Sequence, residues 1–108
     1  MTTTREVTEC IDVCTSTAGV LDACAAACRA MGDMEECEQV CVECAAVCEL
    51  YAEGLEKGDH SWAADCIASC ETCALECKSH PEMPACVRSA KACRECIMAC
   101  KQAEKVSA

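Results

Sequence analysis

Cysteine and charged residues alternate along the chain with the period of an α-helix. The cysteines recur at spacings of three, four and seven residues, which place side chains on one face of a helix. A β-strand would need spacings of two, and no two cysteines are separated in that way. The four clusters hold Cys10, Cys14, Cys24 and Cys28; Cys37, Cys41, Cys44 and Cys48; Cys66, Cys70, Cys73 and Cys77; and Cys86, Cys93, Cys96 and Cys100. The pattern predicts four amphipathic helices, each with a cysteine face and a charged face.

Capping residues mark the ends of the first two predicted helices. Thr3 with Glu6, and Asp33 with Glu36, have the spacing of a capping box before helices one and two. Gly32 suits the C-terminal end of the first helix, because glycine adopts the left-handed conformation that ends many helices.

The later boundaries are marked by glycine and proline. Gly58 and Asp59 separate helices two and three, and Pro84 suits the first position of helix four. The predicted helices span residues 5–30, 34–56, 60–78 and 84–104. Because the connections are short, neighbouring helices are expected to be antiparallel. The predicted fold class is all-α, an antiparallel up-down-up-down four-helix bundle with a cysteine-lined core and a single domain over residues 1–108.

The segment Thr15–Gly19 has low helix propensity and interrupts the cysteine stripe of the first helix. Continuing the register from Cys14 to Cys24 places Thr17 and Leu21 on the cysteine face. We interpret the segment as continuous helix with two substituted core positions.

The composition indicates what fills the core. The sixteen cysteines make up about 15% of the chain, above the roughly 8–10% typical of disulfide scaffolds. Four Leu, three Ile, eight Val and no Phe, with a net charge of −10, would otherwise resemble a disordered chain. Buried free cysteine behaves as a small hydrophobe, and the nineteen alanines favour helix. The predicted interior is therefore mostly sulfur and methyl groups.

Charge and leader signals restrict location and partners. The acidity argues against nucleic acid as a partner. The N-terminal residues show no apolar export signal, and no uncharged apolar run approaches eighteen residues, so no membrane span is expected. The sequence thus predicts a cytoplasmic protein with reduced thiols.

Cysteine pairs four residues apart can share a metal ion. Their Cβ atoms lie about 5–6 Å apart on a helix, and two metal–sulfur bonds of about 2.3 Å span roughly 4.6 Å. A metal ion can therefore bridge such a pair without backbone movement. The pairs are Cys10/Cys14, Cys24/Cys28, Cys37/Cys41, Cys44/Cys48, Cys66/Cys70, Cys73/Cys77 and Cys96/Cys100.

The all-sulfur donor set selects soft ions: Cu(I), zinc or iron–sulfur clusters. Sixteen buried thiolates would carry a prohibitive charge if unpaired. One monovalent ion per thiolate neutralises the column, whereas a divalent ion on four thiolates leaves each site at −2. Charge therefore favours many Cu(I) ions per chain.

Several alternatives stay open. A zinc or cadmium thiolate buffer uses the same donors, and inert cysteine packing and disulfides remain, although helical i,i+4 pairs have poor disulfide geometry. An iron–sulfur redox protein is a further alternative, but Cys93, Cys96 and Cys100 lie in a predicted helix without the usual following proline. The chain shows no nucleophile–base–orienter set, so no enzyme is expected.

The cysteine blocks resemble those of the cytosolic copper storage proteins. The blocks are C10-IDV-C14, C24-AAA-C28, C37-EQV-C41-VE-C44-AAV-C48, C66-IAS-C70-ET-C73-ALE-C77 and C93-RE-C96-IMA-C100. The resemblance implies a four-helix bundle that stores many Cu(I) ions, a cytoplasmic homotetramer, and exchange of copper with a chaperone or an acceptor enzyme. The chain departs from the family at Thr17, Leu21, Ala63 and Ser89, where the stripe often continues, and the copper column is expected to thin there.

Four further metal-ligating side chains fall at one predicted end of the bundle. Met31, Met34, His80 and Met83 lie in or beside the connections between helices one and two and between helices three and four. Thioether and imidazole groups bind Cu(I) without losing a proton at neutral pH. Family members likewise use Met or His at the bundle mouth, so copper is expected to enter and leave here. For each residue, gap filling or a loop position is the alternative.

Aromatic residues are predicted at the opposite end. His60, Trp62 and Tyr51 lie near the connection between helices two and three, where they are expected to plug the core. Met98 lies between cysteine positions of helix four and is expected to pack inside.

Overall fold

The computed structural model describes residues 4–107 and contains four α-helices. They are α1 (Arg5–Met31), α2 (Glu35–Glu56), α3 (Ala63–Lys78) and α4 (Pro84–Ser107). No strand occurs in residues 4–107. Every helix end lies within three residues of its predicted position, and the all-α class is confirmed.

The first helix begins at a threonine cap one residue later than predicted. The Thr4 side chain accepts a hydrogen bond from the Val7 amide at 3.2 Å, and Thr4 has the extended backbone of an N-cap. The predicted cap, Thr3, lies outside the described residues. Thr4 satisfies one of the amides that the first turn leaves unpaired.

The connection between α1 and α2 confirms one predicted cap and corrects the other. Gly32 has φ 90° and its amide donates to the Cys28 carbonyl at 3.4 Å, as expected for a helix stop. The predicted N-cap Asp33 is wrong, because Met34 holds that position and makes no side-chain cap. Acidic residues in the first turn of α2 stabilise the helix N-terminus instead.

The third helix starts at Ala63, three residues later than expected. Asp59 accepts a hydrogen bond from the Ser61 amide at 2.9 Å, and the Asp59 amide donates to the Gly54 carbonyl at 2.8 Å. These bonds hold a turn that the helical period could not show. Pro84 begins α4 as predicted.

The four helices form an up-down-up-down bundle. Each helix packs against its sequence neighbours, and α1 also packs against α4. The molecule measures 46 × 18 × 17 Å, close to one long helix in length. We call the end with the connections at residues 32–34 and 79–83 the upper end, and the end with the connection at residues 57–62 the lower end.

The bundle core consists of sulfur and small side chains. All sixteen cysteines are buried, with exposed fractions of 0–1%. Thr17, Leu21, Ala63 and Ser89 are also buried, which confirms that they occupy core positions. The segment Thr15–Gly19 is continuous helix within α1, as interpreted from the sequence.

Met98 does not pack inside. Its side chain is 71% exposed, so the prediction of a core methionine is wrong. The helical period explains this, because Met98 lies two residues from both Cys96 and Cys100 and faces the opposite side of α4.

By length and composition alone, α1 is apolar enough to cross a membrane. The qualifying window can hold up to two charged residues, whereas the sequence expectation concerned an uncharged run of eighteen. Within the bundle, 39% of that apolar window is buried. Since the core helix of a soluble protein passes the same test, the length and composition of α1 are weak evidence for a membrane span.

Candidate metal centre

The cysteine sulfurs form a column along the bundle axis. Close Sγ–Sγ contacts cross between helices, at 3.6 Å for Cys44 and Cys70 and at 3.7 Å for Cys14 and Cys96. Same-helix contacts also occur, at 3.9 Å for both Cys10/Cys14 and Cys96/Cys100. Further contacts between helices join Cys10/Cys100, Cys24/Cys86, Cys37/Cys86, Cys41/Cys73, Cys41/Cys77, Cys48/Cys70, Cys48/Cys66 and Cys66/Cys100.

Groups of three or four sulfurs lie close enough to share one ion. Within each group, all Sγ atoms lie within 4.8 Å of one another. One group, Cys24, Cys37, Cys77 and Cys86, takes one cysteine from every helix. Other groups are Cys14/Cys66/Cys96/Cys100, Cys48/Cys66/Cys70/Cys96, Cys41/Cys73/Cys77 and Cys44/Cys70/Cys93. Because Cys66, Cys70, Cys77 and Cys96 each belong to two of these groups, neighbouring sites share ligands.

The spacing of the sulfurs suits metal coordination. With metal–sulfur bonds of about 2.3 Å, the sulfurs of one ion lie about 3.8 Å apart in a tetrahedral site, about 4.0 Å in a trigonal site and about 4.6 Å in a linear site. The Sγ contacts of 3.6–3.9 Å fall close to the first two values. Metal binding therefore requires only small movements of the side chains.

The column narrows at mid-length on the side formed by α1 and α4. Thr17 and Leu21 replace cysteine on α1, and Ser89 replaces it on α4. The Thr17 hydroxyl donates to the Ala92 carbonyl at 3.5 Å, away from the sulfurs. On the facing helices, the α2 and α3 stripes continue without a gap through Cys44 and Cys70.

The thiols of the column differ in pKa because their surroundings differ. Hydrogen bonds with Cys100 and then Cys14 lower the pKa of Cys10 to about 5. Burial, followed by a hydrogen bond with Cys24, raises the pKa of Cys86 to about 12. Sixteen thiolates in this volume would repel one another, so cations must accompany full deprotonation.

The upper end is where the column comes nearest to solvent. Cys28, Cys37 and Cys77 each have 1% of their surface exposed, whereas every other cysteine has 0%. A cavity of about 180 Å³ lies beside Cys28 and is also lined by Met34. The three cysteines with any exposed surface thus lie at the end where the sequence predicts copper exchange.

The four predicted mouth residues occupy different environments at the upper end. Met34 and Met83 are partly buried and pack against the core, while Met31 is 60% exposed. His80 Nε2 lies 3.0 Å from a Glu76 carboxylate oxygen. The structure therefore brings Met34 and Met83 to the core and leaves Met31 outside.

The lower end is closed by apolar packing. Val7, Leu55 and Ala103 are buried there together with Tyr51, which is 0% exposed, and Trp62 is partly buried against them. The sequence did not indicate that the Tyr51 hydroxyl has no hydrogen-bond partner among residues 4–107. The available signal was the position of Tyr51, three residues after Cys48 on the cysteine face.

Comparison with known proteins places the chain within one family model. The model described as "Copper storage protein" matches residues 3–105, which include all sixteen cysteines. No significant match is found among curated proteins or among solved structures.

Proposed function

The chain belongs to the copper storage protein family, and on that premise we propose that it stores many Cu(I) ions reversibly on the cysteine thiolates of its core. Storage of metal on thiolates agrees with the family and with the buried sulfur groups. The assignment to Cu(I) and to all sixteen cysteines is the further step of the proposal.

One observation carries this proposal: buried sulfurs follow one another along the bundle at distances suited to shared metal ions. Neighbouring ions share thiolates most readily when each ion carries a small charge and needs few ligands. Cu(I) is soft and monovalent, so about one ion per thiolate neutralises the column. A buried core is then stable when full.

A zinc or cadmium buffer is the second candidate, and among the three groups of four cysteines the one with a cysteine from every helix supports it most directly. Cys24, Cys37, Cys77 and Cys86 lie within 4.8 Å of one another, one from each helix. Four thiolates in this arrangement suit a closed tetrahedral zinc site. The rest of the column fits zinc less well, because its neighbouring groups share cysteines. Two divalent ions on a shared thiolate would lie close together and repel each other.

We place the exchange of copper at the upper end. Cys28 is buried at this end with 1% of its surface exposed, and Met34 lines the cavity beside it. Met31, Met83 and His80 lie at the same end and offer soft or borderline donors. They would pass Cu(I) between the column and a copper chaperone or acceptor enzyme.

Anaerobic titration of the reduced protein with Cu(I), against a chromophoric Cu(I) chelator, tests the main proposal. Storage predicts saturation near the number of cysteines. Saturation at three or four equivalents would contradict it, and the same titration with zinc then distinguishes the second candidate, which predicts about one ion per four thiolates.

The proposal extends to a cytoplasmic homotetramer, as implied by the family resemblance. Leu75 on α3 is 75% exposed and Val87 on α4 is 51% exposed, so a partner chain has apolar side chains to cover. Analytical ultracentrifugation of the reduced protein tests this, and a monomer at all concentrations would contradict it.

A further inference from the structure

The core changes composition about one helical turn below the group of four cysteines that takes one from every helix. Counting three residues along α1 and α4, and four along α2 and α3, towards the lower end gives the next core position of each helix. All four of these side chains are 0% exposed. We call this layer the neck, and its residues are Leu21, Cys41, Cys73 and Ser89.

Two of the four neck residues carry sulfur, and these two are in contact. The Sγ atoms of Cys41 on α2 and Cys73 on α3 lie 3.9 Å apart. On the other two helices, Leu21 offers a hydrocarbon and Ser89 a hydroxyl, and neither group suits soft Cu(I). The metal-binding part of the core is therefore reduced at the neck to one pair of thiols.

The neck divides the other cysteines into two clusters. The upper cluster consists of Cys24, Cys28, Cys37, Cys77 and Cys86. The lower cluster consists of Cys10, Cys14, Cys44, Cys48, Cys66, Cys70, Cys93, Cys96 and Cys100. Every Sγ contact described above lies within one cluster or involves the neck pair.

The neck pair shortens the distance between the clusters. Without it, the nearest cysteines of the two clusters on one helix are seven residues apart on α2, α3 and α4 and ten on α1. At 1.5 Å per residue, these intervals are about 10 Å and 15 Å, whereas two sulfurs on one ion lie at most about 4.6 Å apart. With the pair, the step to Cys44 or Cys70 is three residues, and Cβ atoms at that spacing lie about 5–6 Å apart, close enough for one ion to bridge.

We propose that Cys41 and Cys73 form a transfer pair through which Cu(I) passes between the upper and lower clusters, and that this passage limits how fast the lower cluster fills and empties. The inference rests on the proposed storage of Cu(I) with exchange at the upper end. Cys41 also contacts Cys77 of the upper cluster at 3.9 Å. In each step one Cu–S bond forms and another breaks, copper stays Cu(I), and the proton of the accepting thiol moves to the thiolate that the copper leaves.

Loading should therefore follow two phases. Cu(I) from a chelator donor should first reach the upper cluster and the neck pair, which together hold seven of the sixteen cysteines. The nine cysteines below should fill more slowly. Stopped-flow absorbance of the donor measures both phases, and the fast phase should account for somewhat less than half of the copper.

The double variant Cys41→Ala/Cys73→Ala removes the transfer pair, and Cys48→Ala/Cys66→Ala is its matched control. Cys48 and Cys66 are likewise buried on α2 and α3 with their Sγ atoms 3.9 Å apart, but they lie within the lower cluster. Both variants lose two thiols, so their capacities should fall equally. The slow phase of the neck variant should be at least about tenfold slower than that of the control, because an ion that crosses the neck must first leave its thiolates. Equal slow phases would overturn the inference.

A second substitution, Leu21→Cys/Ser89→Cys, keeps the test independent of damage to the fold. It places a pair of thiols at the neck on α1 and α4, directly below the 3.7 Å contact of Cys24 and Cys86. Added to the wild type, it should speed the slow phase. Added to Cys41→Ala/Cys73→Ala, it should restore the slow phase. If the neck variant is slow and the added pair does not restore it, the transfer assignment is wrong.

The same measurements separate this inference from the storage proposal. If the wild type saturates at three or four equivalents of Cu(I), it is the storage proposal that fails. If the wild type fills and the neck variant loads like its control, storage stands and the transfer inference is wrong.

Discussion

Cysteine serves two purposes in this core that proteins usually divide between different residues. As a thiol it packs like a small hydrophobe, and as a thiolate it binds a soft metal. The structure places all sixteen cysteines inside with 0–1% exposure, in positions where bundles commonly carry leucine or isoleucine. The same atoms can therefore hold the empty fold together and hold the cargo.

Ser89 offers a test of the column at a single residue. It is 0% exposed and lies between Cys86 and Cys93 on α4, and its hydroxyl has no hydrogen-bond partner in the part of the chain that the structure describes. Ser89→Cys should raise copper capacity by about one ion, because it supplies one further thiolate where the column narrows. Chelator titration of the reduced variant measures this capacity.

The control for that substitution is Ser16→Cys, which adds a thiol at an exposed position of α1. An isolated surface thiol has no second sulfur beside it, so capacity should stay as in the wild type when measured against a strong chelator. Equal gains in the two variants would show that capacity follows the number of thiols and not their place in the column.

At the scale of residues, the sequence predicted which side chains face inward, with Met98 as the exception. The helical period alone places Thr17 and Leu21 with the cysteines, and both are buried. The period could not give the groups that span helices, such as Cys44, Cys70 and Cys93, since these depend on the rotation and axial offset of each helix. The Tyr51 hydroxyl was missed for the same reason.

At the scale of elements, glycine and proline marked several of the predicted helix ends. Gly32 lies where the backbone is left-handed. Pro84 lies at the first position of α4, where a missing amide hydrogen is tolerated. The start of α3 was predicted too early because Asp59 forms a side-chain turn that competes with helix. The cap at Asp33 was wrong because a capping motif is a local preference that the connection can override.

Gly19 inside α1 and Gly32 at its C-terminal cap should respond oppositely to alanine. Gly19 lies in the helix interior and a Cβ there would contact nothing within 4 Å, so Gly19→Ala should stabilise the fold by about 0.5–1 kcal/mol. Gly32 has φ 90°, so Gly32→Ala should destabilise it by about 1 kcal/mol. Urea unfolding of the reduced, metal-free variants measures both free energies. Shifts of the same sign would contradict the assigned backbone roles.

The two connections at the upper end should control the rate of exchange. Met34 and Met83 pack partly against the core, so replacing both by leucine keeps the volume and removes the thioethers. The double variant should load from a Cu(I)–chelator donor several-fold more slowly, with unchanged final capacity. Stopped-flow absorbance of the Cu(I)–chelator donor measures the rate of loading.

Met98→Leu is the matched control for the upper-end methionines, because Met98 is 71% exposed and lies on the outer face of α4. It should load like the wild type. If the double variant also loads as fast as the wild type, the two thioethers take no part in copper exchange.

At the scale of the whole molecule, loading should strengthen the fold. A ligand held at a hundred times its dissociation constant adds about 2.7 kcal/mol for each site that the unfolded chain lacks. Several filled sites should therefore raise the melting temperature by about 10 °C or more. Circular dichroism melts before and after loading measure this rise. No change would mean that the unfolded chain binds copper as well as the folded one.

The lower end is closed by the packing of Val7, Tyr51, Leu55 and Ala103. This closure affects the order in which metal ions enter and leave the column. Because the column opens at one end only, the last ion to enter is expected to be the first to leave. Loading half the column with one stable copper isotope and the rest with the other, then withdrawing copper slowly, should return the second isotope first. The oldest copper in the cell would then be the copper held deepest, beneath ions that arrived later.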